Sequence, residues 1–240
     1  MAADIVLFIL CFLVISFGYR GAKQGFLRIA FSLVSVILTL WVVSFLSPRV
    51  SEALIERTPI YEQIADSIRK AFTSDNEGRD VTLPESQNET ISNFALPENV
   101  KILLMENNTE PVYKQLLAEY FEDYVARFLS RLSIQILTYI ISFLLLIAII
   151  RAILLSLDLL DRIPVLHGMN RLAGCLAGLL EGMIFVWLFF LFMTALSGTG
   201  IGKAFYDLVQ SQPVLKYVYE NNLFLRFLSG ARIMGFDLGI

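Results

Sequence analysis

Apolar positions in this chain come in long runs, not in alternation. Four runs stand out, at residues 5–19, about 24–46, 132–150 and about 172–195. As helices, the last three reach roughly 28–36 Å, enough to cross a hydrocarbon core of about 30 Å. The first reaches only roughly 22 Å. It spans if "YRGAKQ" adds a helical turn or if the bilayer thins locally; otherwise it is half-inserted.

Elsewhere the pattern changes to one apolar stripe per segment. "PRVSEALIERTPIYEQIADSIRKAF" places Val50, Leu54, Ile64, Ile68 and Phe72 at near-helical spacing. The stretch 73–96 is polar and turn-rich and reads as a flexible linker. "PENVKILLMENN" opens on Pro97 and predicts a short helix. "EPVYKQLLAEYFEDYVARFLSRL" repeats Val112, Leu116, Tyr120, Tyr124 and Phe128 on one face and predicts a helix running straight into the third span. In the tail, "KAFYDLVQSQ" and "PVLKYVYENNLFLRFLSG" are amphipathic, with Pro213 as a first helical residue. The fold expected is an all-α membrane protein with four transmembrane helices in two hairpins, 1–46 and 132–197. Amphipathic extracytoplasmic helices occupy 47–131, between spans two and three, and 198–240, after span four.

Charge orients this arrangement. Arg20 and Lys23 follow the first run, with Arg28 just inside the second; Arg151, Arg162 and Arg171 flank the loop between the third and fourth. Residues 47–131 carry nine basic against fifteen acidic side chains, a net of −6. Short loops rich in Lys and Arg face the cytoplasm, so both termini and the acidic segment are expected outside. A mean hydropathy of +0.66 excludes an ordinary soluble domain. The formal net charge of −3 gives no footprint for nucleic acid. "MAADIVLFIL" lacks a basic n-region, so a retained helix is expected rather than a removed signal peptide.

No residue pattern carries catalysis. Cys11 and Cys175 sit in apolar segments and form neither a disulfide framework nor a zinc spacing. His167, the only histidine, lies in a loop without clustered carboxylates or thiols. There is no nucleotide-binding glycine loop and no nucleophile elbow. No cofactor, metal or catalytic residue is expected.

The informative pattern is glycine. "GYRGAKQGFLR" holds Gly18, Gly21 and Gly25; "GCLAGLLEGM" holds Gly174, Gly178 and Gly182, with Glu181 among them. A glycine inside a helix costs about 1 kcal/mol relative to alanine, and an acid at a bilayer centre costs roughly 2.5–3.5 kcal/mol on insertion scales. Small residues four apart make a flat strip on which another backbone can lie, which offsets the first cost. For the second, aligning Gly21 and Gly25 with Gly174 and Gly178 sets Arg28 opposite Glu181. If the hairpins are a parallel repeat, an Arg28–Glu181 ion pair near the midplane is expected, with Lys23 as second candidate.

Asp4 before the first run, "GYRGAKQGFLR" after it and "LHGMNRLAGCLAGLLEGMIFVWLFF" near the end make the chain resemble the colicin V production protein family. The long outer segment departs from that pattern, and so does Glu181, where a neutral or basic residue is expected. The resemblance implies a bacterial inner (cytoplasmic) membrane protein connected with production or export of a peptide toxin. The expected function is non-enzymatic: support of toxin production, export or envelope maintenance through helix packing and partner contacts. The alternative is a small oligomeric transporter or channel using Glu181. Expected partners are the lipid bilayer and a membrane or extracytoplasmic protein, or a second copy of the chain, with no nucleic acid.

The topology is directly testable. In intact cells, a cysteine introduced as Ser86→Cys is expected to react with an impermeant thiol reagent and His167→Cys to be protected. The opposite pattern inverts the orientation.

Overall fold

The computed structural model describes residues 2–75, 84–156 and 169–230; within them, the side chains of 27–28, 71–75, 84, 154–156, 169–170 and 227–230 are not described. His167 and Arg162 therefore lie outside the described residues. The described residues form eleven helices. Four of them are long and apolar enough to cross a membrane: α1 (Ala2–Gln24), α2 (Phe26–Arg57), α7 (Phe121–Ser156) and α8 (Met169–Ala195). The described residues contain helices and no strand, and the four long helices make the chain a multi-pass membrane protein.

The first helix is not short. "YRGAKQ" is helical, so α1 has 23 residues, about 34 Å of rise. The first hairpin then turns on Gly25 alone. Its φ of 82° lies in the left-handed region that glycine enters without a Cβ clash. Its N–H still donates to the Gly21 carbonyl at 2.9 Å, and α2 starts at the next residue.

Two other breaks fall where the stripes did not show them. α2 carries Pro48 in its interior and continues to Arg57, so Val50 and Leu54 extend the second span. The helix stops at Arg57, directly before the Thr58–Pro59 pair, because a residue before proline is pushed out of the α region. Ile64 and Ile68 belong to the next helix, α3 (Ile60–Asp75). The 112–128 stripe does not run straight into the third span. It is split between α6 (Glu110–Leu116) and α7 by Leu117, in the left-handed region at φ 55°. Tyr120 is accordingly exposed, while Val112, Leu116, Tyr124 and Phe128 are buried. Part of the stretch read as a linker, 73–96, is helical: α4 spans Pro84–Ser92. α5 follows as Glu98–Glu106, with Pro97 as its N-cap rather than its first residue. The tail forms α9 (Gly200–Gln210), α10 (Pro213–Glu220) and α11 (Leu223–Gly230). α10 does open on Pro213, with the Gln212 side chain accepting from Val214 N–H at 2.6 Å.

By internal contacts the chain forms two units, Met1–Ser47 with Tyr139–Phe189, and Pro48–Thr138 with Phe190–Ile240. The second has an aromatic core. Tyr124, fully buried, stacks on Tyr113 at 4.9 Å and donates its hydroxyl to the Leu104 carbonyl at 2.6 Å. Burial pushes the Tyr113 phenol up to about 12, and it donates to Asn108 Oδ1 at 2.9 Å. Phe190, Phe205 and Tyr219 meet edge to face, and Thr194 bonds the Tyr219 hydroxyl at 3.1 Å. Lys101 is buried, yet it donates to the Ser92 carbonyl at 2.8 Å, which satisfies its charge in part. The first unit holds the two glycine motifs and Glu181.

Candidate functional site: a buried carboxylate behind a glycine seam

α1 and α8 approach as backbones. A Cβ added to Gly21 would run into the Gly174 carbonyl, and one added to Gly174 into the Gly21 carbonyl. One on Gly178 would run into the Phe17 carbonyl and lie 3.2 Å from Gly18 Cα; one on Gly182 would lie 3.0 Å from Val14 Cα. Residue numbers fall along α1 as they rise along α8, so the two helices are antiparallel. Each glycine removes the side chain that would hold the other backbone off. The close van der Waals packing that results is what drives helix association in lipid. Gly18 and Gly21 thus act from the end of α1. The seam joins the first helix of one hairpin to the second helix of the other.

The seam also sets depth. Gly174 lies against the hairpin turn, since its Cβ would be 3.0 Å from both Gly25 C and Phe26 N. Glu181 is seven residues further along α8, about 10 Å past the turn.

Glu181 has no exposed surface. Its Oε1 accepts from Arg151 Nη2 at 2.6 Å and from Ser32 Oγ at 2.9 Å. Arg151 Nη2 also donates to Ser32 Oγ at 3.1 Å, closing a triangle across α2, α7 and α8. Oε2 makes no hydrogen bond but faces Arg20 Nη2, on α1, at 3.6 Å. The Arg20 guanidinium sits 5.0 Å over the Phe17 ring. One carboxylate therefore draws on all four long helices. A buried carboxylate without a partner would cost several kcal/mol, whereas charge-assisted bonds to guanidinium offset most of that.

Of the two basic residues expected to pair with Glu181, Lys23 lies 5.2 Å over the Tyr19 ring, and the Arg28 side chain lies outside the described residues. Sequence reasoning missed Arg20, Arg151 and Ser32 as Glu181 partners, because it counts the two arginines as loop charges. A signal is present for Arg151: "IIRAILLS" is apolar on both sides of it, which marks an arginine still inside a helix. Among the described residues no group of three His, Cys, Asp or Glu side chains could hold a metal ion.

Comparison with known proteins adds one finding. The family model for the colicin V production protein matches residues 112–221, a stretch that contains Arg151, Glu181 and the second glycine motif. No curated protein and no solved structure matches the chain.

Two outcomes test this geometry. Gly178→Leu is expected to lower the thermal midpoint in detergent, at a cost of about 1–3 kcal/mol or more, because the facing Phe17 carbonyl is backbone and cannot swing away. Gly200→Ala, with nothing within 4 Å of the added carbon, should leave it unchanged. In a double-mutant cycle, Arg151→Leu should cost about 3–5 kcal/mol by removing the main partner of a buried carboxylate, Glu181→Leu less because the Arg151 side chain is 38% exposed, and the two together less than the sum. Additive losses would dismiss the pair.

Proposed function

We propose that this chain, whose residues 112–221 match the colicin V production protein family model, belongs to that family and acts without catalysis as a scaffold in a bacterial inner membrane. The family is not known as an enzyme family. The first unit is the anchor, fastened by the glycine seam and the Glu181 cluster. The second unit, with its short amphipathic helices, is the extracytoplasmic surface that a membrane or envelope partner recognises. The process served is production or export of a peptide toxin, or upkeep of the envelope that such export crosses.

The observation that supports this reading best is the closed state of Glu181. A carboxylate with no exposed surface, one oxygen taken by an arginine and a serine and the other facing a second arginine, has the arrangement of a fastening. A carboxylate working as an ion-binding site needs a free oxygen. The rival reading, a small oligomeric transporter, draws on the weaker half of the cluster. Oε2 has no hydrogen bond, and the Arg20 side chain opposite it is 44% exposed, so that contact could exchange.

The test is purification of the full chain from native membranes, with mass measurement of the intact assembly, alongside ion flux in liposomes. A defined co-purifying envelope protein and no flux is the expected result. Flux that disappears in Glu181→Leu would replace the scaffold by the transporter.

A further inference from the structure

The cluster around Glu181 is unbalanced: two guanidiniums share one carboxylate. Arg151 uses only Nη2 for its bonds to Glu181 and Ser32, and Arg20 approaches Glu181 only through Nη2. Their side chains remain 38% and 44% exposed. Each guanidinium carries five N–H donors, so most of the donors at this site point away from the carboxylate. Phe17 lies against one face of Arg20. Lys23, on the same helix three residues on, is exposed as well. Counting Lys23, the group carries a net charge of +2.

Depth decides what meets these donors. The hydrocarbon core is about 30 Å thick and the whole bilayer about 40–45 Å, which leaves a polar layer of roughly 5–7 Å on each side. With the Gly25 turn at the outer edge of that layer, a cluster about 10 Å past the turn sits just inside the hydrocarbon boundary. Arginine side chains reach outward from such a level to the headgroups. Donors left in hydrocarbon would be unsatisfied at a cost of several kcal/mol each.

We infer that Arg20 and Arg151 form a binding site for a phosphate-bearing anion, supplied by the phosphodiester of an anionic phospholipid in the leaflet at the Gly25 end of the first unit. Glu181 and Ser32 hold the Arg151 guanidinium in place, Phe17 supports that of Arg20, and their free N–H edges grip the phosphate. Guanidinium forks match phosphate oxygens better than a point charge does. Bound lipid also offsets one unit of the surplus charge and so tightens the contacts among α1, α2, α7 and α8.

The experiment uses the full-length protein in a neutral detergent and reads the thermal midpoint against added lipid. Short-chain phosphatidylglycerol should raise the midpoint saturably; phosphatidylcholine of the same chain length and soluble glycerol 3-phosphate should not. Arg20→Gln should raise the half-saturating phosphatidylglycerol concentration about tenfold or more, as loss of a charge-assisted bond predicts. Arg20→Lys, which keeps the charge and the fold if Gln does not, should fall between. Arg49→Gln, at an exposed arginine elsewhere on α2, should match the unaltered chain. Equal stabilisation by both lipids, or equal weakening by Arg49→Gln and Arg20→Gln, overturns the site. Stabilisation by glycerol 3-phosphate at the same concentrations overturns the lipid source and assigns a soluble phosphate instead.

Discussion

A carboxylate with no exposed surface, inside helices that cross a membrane, has to be answered by positive charge, and the first unit is organised by that requirement. Glu181 collects Arg151 from α7, Ser32 from α2 and Arg20 from α1. In lipid, apolar side chains have no preference for each other over the acyl chains, so Leu and Ile do not specify which helices pair. Close backbone approach and a shared polar cluster do. The glycine seam brings α1 and α8 together, and the Glu181 cluster adds α2 and α7.

These two devices depend on each other. Without side chains at Gly18, Gly21, Gly174 and Gly178 the backbones close to contact, and that closure brings the end of α1, with Arg20, within reach of an acid on α8. In turn, the cluster opposes sliding along the seam, since a shift of α1 past α8 would carry Arg20 away from Glu181. A smooth strip alone specifies proximity but only weakly specifies register. A charged group with two short contacts specifies both.

The second unit shows a different solution to burial. Its short helices carry too little apolar surface to be stable singly, and aromatic stacking supplies the missing area: Tyr113 on Tyr124, and Phe190 with Phe205 and Tyr219. The polar tips find partners at Asn108, Leu104 and Thr194, so each ring contributes its full apolar surface without stranding a hydroxyl. Surface ion pairs such as Arg69 with Asp66 and Asp123 add little by comparison.

The four long apolar helices and the helical class were legible in the sequence because each is a property of composition along one helix. Twenty apolar residues are a span whatever surrounds them, and glycines four apart share a face by helix geometry alone. The left-handed breaks at Gly25 and Leu117 were less legible. Gly25 was one of several glycines in its motif, and leucine at φ 55° is a conformation that no local preference favours. What only the tertiary structure decided was pairing. Arg20 and Arg151 stand 161 and 30 residues from Glu181 in the chain, and periodicity carries no information across such distances. The glycine seam sets α1 antiparallel to α8, and its register, which no motif spells out, brings Arg20 to the level of Glu181.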